Sequence, residues 1–262
     1  MITPNKNIRK TILNMVNAGG ASHIGASLSV VEILNTVYKN VDISKIQNLD
    51  INHDRVILSK GHAASCLYAV MYHHGLLDKS LIDTYFKNNT ILAGHVSHHV
   101  PFVEHSTGGL GHGLSVGVGM AIGLKTKKEN SKVFVILGDG EMQEGSNWEA
   151  IMLAGHLKLQ NLIVLVDINE LGQVEKLVDY CSLEPLAKKF ESFNFEVQEI
   201  DGHNETEIDN AIKKSFISEK PSAILCRTKK GYGVSFMEKN VLWHYKSPIG
   251  EDYEKALKEL NE

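Results

Sequence analysis

Short apolar runs alternate with longer amphipathic segments along most of the chain. Five runs predict β-strands, at residues 55–59, 132–137, 162–167, 195–200 and 222–227. The second and third are almost continuously apolar, which is typical of parallel strands covered on both faces. Eight segments predict helices, at 7–18, 28–38, 62–74, 114–125, 148–157, 177–190, 205–216 and 252–260. This alternation predicts the α/β class, with a doubly wound, mostly parallel sheet and helices on both faces.

No internal repeat, low-complexity stretch or Pro/Gly/Ser-rich linker interrupts the alternation. We therefore expect one domain over residues 1–262. In open α/β sheets, ligands bind beyond the carboxyl ends of the strands. The loops that follow the predicted strands are therefore the first place to look for functional residues.

Composition narrows the functional classes. The formal net charge of −4 argues against a nucleic-acid-binding protein, which would be expected to carry a basic surface. No apolar run approaches the roughly 18 residues of a membrane span, and the first ten residues do not resemble a signal peptide. Cys66, Cys181 and Cys226 lie far apart, so we expect no disulfide framework or zinc site and a reducing, cytoplasmic setting.

Polar residues follow two consecutive predicted strands. Gly138-Asp139-Gly140 comes at the end of one strand, and Asn169 follows the next, 30 residues later. One helix fits between them as a right-handed crossover, which would make the two strand ends neighbours. A carboxylate, an amide oxygen and a nearby carbonyl would then meet, and such oxygen ligands suit Mg²⁺ beside phosphate. A tight turn capped by Asp139 is the alternative explanation of the glycine-flanked aspartate.

This spacing resembles the thiamine diphosphate motif. The resemblance implies that thiamine diphosphate and Mg²⁺ are the cofactors. It assigns Asp139, Asn169 and the main-chain oxygen of Leu171 to the metal, and Gly138 and Gly140 to the diphosphate. The motif identifies the cofactor better than the reaction.

Seven further segments, in order, are similar to transketolases across nearly the whole chain. They are Ala21-Ser22-His23-Ile24-Gly25, Ser59-Lys60-Gly61-His62-Ala63, Ala93-Gly94-His95, Ser106-Thr107-Gly108-Gly109-Leu110-Gly111-His112-Gly113, Glu144-Gly145, Gly231-Tyr232-Gly233-Val234-Ser235-Phe236-Met237-Glu238 and Trp243-His244. Two positions depart from the family pattern: Ser22 replaces a common glycine, and His112 replaces a common glutamine.

The transketolase resemblance assigns roles to individual residues. It implies that His23, His95 and His244 handle the hydroxyl groups of the sugar. It places His62, and His244 as well, at the diphosphate, and Gly108 and Leu110 along the cofactor rings. It also puts Glu144 and Glu149 in a carboxylate network at a subunit interface that reaches towards the cofactor.

In transketolases, a glutamate of a separate pyrimidine-binding domain of roughly this size completes the cofactor site, and we expect these 262 residues to leave no room for a second such domain. We therefore expect it on a partner chain, a C-terminal transketolase subunit, in an α2β2 assembly. The predicted activity is transfer of a two-carbon ketol group from a ketose phosphate to an aldose. The alternatives are a specialised transferase for an unusual sugar, the α subunit of a 2-oxo acid dehydrogenase first component, and a non-catalytic cofactor-binding module.

Overall fold

The computed structural model describes residues 4–262, so the first three residues of the predicted domain lie outside the description. The sheet has five strands, all in parallel pairs, in the order β1-β2-β3-β5-β4. They are β1 (Arg55–Leu58), β2 (Val133–Gly138), β3 (Leu162–Ile168), β4 (Glu196–Asp201) and β5 (Ser222–Arg227). All five predicted strands and the predicted fold class are confirmed.

The helices surround this sheet. In chain order they are α1 (Pro4–Gly19), α2 (Ile24–Ser29), α3 (Val31–Lys39), α4 (Ile43–Gln47), α5 (Ala64–His73), α6 (Lys79–Ile82), α7 (Gly113–Thr126), α8 (Gly145–His156), α9 (Leu177–Tyr180), α10 (Leu186–Ser192), α11 (Glu205–Phe216) and α12 (Glu251–Asn261). Short 3-10 turns occur at Gly61–Ala63, Gly140–Gln143 and Val241–His244.

Alternate residues of the central strands face two separate hydrophobic cores. Phe134 and Ile136 of β2 join the core that α1, α2, α3, α5, α11 and α12 cover. Val135 of β2 and Val164 of β3 join the second core, under α7, α8 and α10. Because successive side chains of a strand point to opposite faces, a continuously apolar run supplies both cores at once.

Two predicted helices are wrong in their extent. The segment at 177–190 forms α9 and α10 rather than one helix, because Pro185 has no N–H to donate and restricts the backbone of the residue before it. The segment at 28–38 is interrupted at Val30, where the backbone leaves helical geometry, and the preceding turn belongs to α2. Neither difference changes the sheet.

The cysteines do not pair with one another. All three are free, with Cys66 and Cys226 buried and Cys181 exposed. Within residues 4–262, no helix combines the length and apolar character that a lipid bilayer crossing requires.

The carboxyl ends of β1, β2, β3 and β5 lie at one edge of the sheet, since the strands are parallel and adjacent. Four loops therefore meet there. They begin at Ser59, Asp139, Asn169 and Thr228, and they carry most of the residues considered below.

Candidate active site

Four histidines from separate parts of the chain come together at this edge of the sheet. The ring of His23 lies 5.0 Å from that of His244, 5.4 Å from His62 and 5.6 Å from His95, measured between centroids. His62 and His244 are 5.9 Å apart. The histidines to which the transketolase resemblance assigns roles are thus neighbours in space, although 221 positions separate His23 from His244.

A backbone hydrogen bond joins two of these histidines. His23 lies between α1 and α2 with a left-handed φ of 67°, and its N–H donates to the carbonyl of His244 at 2.8 Å. The ring Nδ1 of His23 lies 2.9 Å from the hydroxyl of Ser22. His244 ends the 3-10 turn Val241–His244 and is almost fully buried. His95 is exposed, so the cluster has a buried side and an open side.

The cluster favours neutral imidazoles. Burial, with the nearby His95 and Lys230, lowers the pKa of His23 to about 4. Burial and Lys230 lower the pKa of His244 to about 3, and burial and Lys60 hold the pKa of His62 well below its usual value. These three rings are therefore uncharged near neutral pH, the state in which an imidazole accepts a proton.

The predicted metal ligands meet beside the cluster. Gly138 pairs with Asp167 in the register of β2 and β3, which brings Asp139 against the loop that follows β3. The Asp139 carboxylate accepts the N–H of Gly140 at 2.8 Å and that of Glu170 at 2.6 Å. The side-chain oxygen of Asn169 accepts the N–H of Leu171 at 3.2 Å.

The chemistry of these groups fits a divalent cation. Burial and the neighbouring Asp167 raise the pKa of Asp139 to about 6, so the ionised carboxylate is destabilised in the fold and a bound cation would stabilise it. A carboxylate, an amide oxygen and a main-chain carbonyl form a hard oxygen set that suits Mg²⁺. Within the described residues, no three His, Cys, Asp or Glu side chains gather as an alternative metal site.

A glycine-rich loop forms another wall of the site. Gly108 and Leu110 lie in the loop between β1 and β2 that ends at the start of α7, and Gly108 adjoins the ring of His95. Gly61 also adjoins this loop: a Cβ on Gly61 would lie 2.5 Å from the carbonyl of Thr107. Only glycine permits this approach, which keeps His62 close to the loop.

Sequence reasoning missed two buried lysines. Lys60, 1% exposed, pairs with the fully buried Asp167, which also accepts hydrogen bonds from Ser29 and Thr228. Although burial alone would raise the pKa of Asp167, Lys60 and these hydroxyl groups hold it below its usual value. Lys60 lies inside one segment similar to transketolases and Lys230 directly precedes another, which was the available signal.

Lys230 links the histidine cluster to the predicted metal ligands. Its ammonium donates to the carbonyls of Leu171 at 3.2 Å and Gly172 at 2.7 Å, and lies 2.8 Å from Nδ1 of His244. Burial and Lys60 lower the pKa of Lys230 to about 8, against the opposing effect of Asp139 and Asp167. A cation thus already contacts the carbonyl that the resemblance assigned to the metal.

Several other predicted residues lie at the margin. Glu144 and Glu149 are exposed, at the start and within the first half of α8. The rings of His98 and His99 lie 4.3 Å apart, tilted by 39°, and both residues are exposed, as expected for residues without an assigned role. Tyr245 was not predicted, yet its ring lies 4.7 Å from that of His244 and 5.9 Å from that of His23.

Comparison with known proteins identifies the family. Residues 4–261 match the transketolase, thiamine diphosphate binding domain family. The chain is 39% identical to one subunit of the apulose-4-phosphate transketolase of Actinobacillus succinogenes, over 97% of this chain and 93% of that protein. It is 35% identical to a 6-deoxy-6-sulfo-D-fructose transketolase subunit of Clostridium sp., over 97% of this chain and 93% of that protein.

Solved transketolases share the fold. A transketolase mutant from Pichia stipitis in complex with fructose 6-phosphate superposes with a TM-score of 0.89 at 27% identity. The match covers 98% of this chain but only 40% of that one, so the chain spans well under half of the solved transketolase. The chain therefore belongs to the transketolase family, as a thiamine diphosphate binding domain that corresponds along nearly its whole length to single subunits of divided transketolases.

Proposed function

We propose that this chain is the diphosphate-binding subunit of a two-chain transketolase that moves a two-carbon ketol group from a ketose phosphate to an aldose. The observation that carries the proposal is the cluster of His23, His62, His95 and His244 beside the Asp139 and Asn169 corner. Three of these rings have lowered pKa values and are neutral. They therefore offer lone pairs to a sugar hydroxyl and do not hold an anion by charge, and a bound diphosphate would raise their pKa values towards the neutral range in which an imidazole transfers protons.

Thiamine diphosphate, when bound, supplies the carbon nucleophile that the protein lacks. The chain's own residues bind and orient it: Asp139, Asn169 and the Leu171 carbonyl hold Mg²⁺, while His62, Gly140 and His244 contact the diphosphate. Gly138, at the end of β2, would present its backbone to that group, and Gly108 and Leu110 would line the rings of the cofactor. Lys60 and Lys230 add positive charge where the diphosphate brings negative charge.

His23 and His244 have the proton-transfer role. Cleavage of the donor's carbon–carbon bond requires removal of a proton from the adjacent hydroxyl. His23 is suited to accept it because its ring is neutral and its Nδ1 lies 2.9 Å from the Ser22 hydroxyl. In the tautomer in which Nδ1–H donates to that hydroxyl, Nε2 carries the lone pair that accepts the proton. His95 is exposed at the open side of the cluster and is the residue proposed to hold the donor's terminal hydroxyl.

A second chain is required by this proposal. We infer that a C-terminal, pyrimidine-binding transketolase subunit supplies the carboxylic acid that engages the cofactor's pyrimidine ring, in an α2β2 assembly. Two relatives support the division of the enzyme into two chains. Their names designate single transketolase subunits, and this chain covers 93% and 91% of their length. The exposed Glu144 and Glu149 carboxylates are proposed to lie at that interface and to reach towards the cofactor.

The names of two relatives indicate the class of sugar on which those proteins act. Their names include apulose 4-phosphate and 6-deoxy-6-sulfo-D-fructose as sugars, so related chains handle different anionic substrates. We propose an anionic ketose as the donor, with the distal charge held largely by the partner subunit.

The direct test uses the chain reconstituted with its partner, thiamine diphosphate and Mg²⁺. Aldose release from xylulose 5-phosphate or fructose 6-phosphate is followed beside CO₂ release from pyruvate. Ketol transfer without pyruvate decarboxylation is expected. Pyruvate turnover with no turnover of either ketose would instead assign the chain to a 2-oxo acid dehydrogenase.

A further inference from the structure

A buried glutamate joins two walls of the site. Glu141 lies in the 3-10 turn Gly140–Gln143, only 2% exposed, and no assigned role accounts for it. Its Oε1 accepts a hydrogen bond from the hydroxyl of Ser59 at 2.5 Å and from the N–H of Gly111 at 3.1 Å. Its Oε2 accepts the N–H of Gly138 at 3.2 Å. One carboxylate thus connects the ends of β1 and β2 with the glycine loop.

The glycine loop depends on this connection. Gly111 has a φ of 84°, and a Cβ there would lie 2.6 Å from both the Cβ of Glu144 and the hydroxyl of Ser146. Its carbonyl accepts the Ser146 hydroxyl at 2.8 Å, while its N–H is held by Glu141. Both backbone groups of Gly111 are therefore attached to the segment that follows Asp139.

Burying an ionised carboxylate costs free energy unless hydrogen bonds or opposite charges stabilise it. Burial raises the pKa of Glu141, and the hydrogen bonds from Ser59 and the two backbone amides oppose that rise. Three donors converge on two oxygens, so an amide in the same place would turn its NH₂ towards at least one N–H or O–H donor. A glutamate here is matched to its neighbours in a way that glutamine is not.

We propose that Glu141 is a positioning residue for thiamine diphosphate, which fixes the loop at residues 108–111 to the metal-binding turn at residues 138–140 before the cofactor binds. The inference rests on the proposed function, since it assumes that these two segments hold the cofactor rings and the diphosphate. Because both segments are already ordered, the cofactor does not lose binding free energy in ordering them. Glu141 therefore contributes to cofactor affinity rather than to the chemical step.

The test compares Glu141→Gln and Ser59→Ala with Glu191→Gln, a control at an exposed position on α10. Hydrogen exchange is measured in the chain without cofactor. The amides of Gly111 and Gly138 should exchange roughly tenfold to a hundredfold faster in Glu141→Gln, because a hydrogen bond to a charged group is lost. Ser59→Ala should change exchange in the same direction by less, and Glu191→Gln should match the unmodified chain.

The second measurement uses the reconstituted complex. The dissociation constant for thiamine diphosphate should rise by a similar factor in Glu141→Gln, with kcat at saturating cofactor within about threefold of the unmodified enzyme. A merely structural role would lower the melting temperature without this division between affinity and kcat. Unchanged exchange at Gly111, or unchanged cofactor affinity in a folded Glu141→Gln or Ser59→Ala chain, would overturn the inference.

The two proposals fail in different ways. If the complex turns over no ketose but Glu141→Gln still frees Gly111 and weakens thiamine diphosphate binding, the positioning role stands and the proposed reaction is wrong. If ketol transfer is found and Glu141→Gln binds the cofactor normally, only the positioning role is wrong.

Discussion

Replacing Asp139 by asparagine should separate the stability of the fold from its capacity to bind metal. Asn is nearly isosteric with Asp and keeps one oxygen that can accept the N–H of Gly140 or Glu170. It removes the negative charge that the proposed Mg²⁺ site requires. Asp139→Asn should therefore lose metal-dependent binding of thiamine diphosphate without unfolding the chain.

The pKa of Asp139 gives the expected magnitude. The carboxyl titrates at about 6 in the fold, against 3.8 for an ordinary aspartate. The shift corresponds to a free energy of the order of 3 kcal/mol by which ionisation destabilises the metal-free fold. The folded chain holds its proton more tightly than the unfolded chain, so this stability is present below pH 3.8 and is lost as pH rises through 6.

A neutral side chain at position 139 avoids that loss. At pH 7 the metal-free Asp139→Asn chain should be as stable as the unmodified chain or more stable, by up to about 3 kcal/mol. An amide NH₂ facing one backbone N–H reduces the gain. The variant's free energy of unfolding should also vary less between pH 4 and 6.

Urea denaturation of the metal-free chain at pH 4.5 and pH 7 measures these free energies of unfolding. The same measurement is repeated on the reconstituted complex with Mg²⁺ and thiamine diphosphate. The unmodified complex should gain stability from Mg²⁺ and cofactor, and the variant complex should gain little. If Asp139→Asn retains full Mg²⁺-dependent stabilisation, the carboxylate is only the cap of a turn. A loss of more than about 1 kcal/mol in the metal-free chain would contradict the electrostatic argument.

Further predictions concern the histidine cluster and Lys230. His23→Ala and His244→Ala should each lower kcat for ketol transfer by roughly 10²-fold, about 2.7 kcal/mol of transition-state stabilisation, whereas the exposed His99→Ala should change it less than twofold. An NMR titration of the unliganded chain should give His23 a midpoint near 4 instead of 6.5, and a midpoint above 6 would refute the neutral cluster. Lys230→Met should weaken thiamine diphosphate binding by about tenfold or more, measured by titration of the complex, and unchanged affinity would exclude a role at the diphosphate.

The strands could be predicted because their signal is local. β2 and β3 are continuous runs of apolar residues, and the parallel pairing that brings Asp139 to Asn169 follows from one intervening helix. The break between α9 and α10 depended on Pro185, which interrupts a segment whose polarity pattern otherwise resembles one helix. The periodic pattern predicted one helix through this proline, and that prediction was wrong.

The polar residues buried beneath the site could not be predicted in the same way. Glu141 and Lys60 look like surface residues in the sequence, since each lies beside glycine in a loop. Their partners, Ser59, Gly111 and Asp167, are 30 to 107 positions away, and only the fold brings them together. The resemblance identified the four histidines that the fold brings together, whereas the burial and neighbouring charges that lower the pKa values of three of them became visible only in three dimensions.

If this chain supplies half of a ketol-transferring site, turnover must depend on the subunit that supplies the other half. The most direct test of this dependence measures aldose release from a ketose phosphate at fixed chain concentration, with Mg²⁺ and thiamine diphosphate, while the pyrimidine-binding subunit is added stepwise. We expect no turnover by the chain alone and a rate that rises to a plateau at one partner per chain. Robust turnover before any partner is added would contradict this dependence.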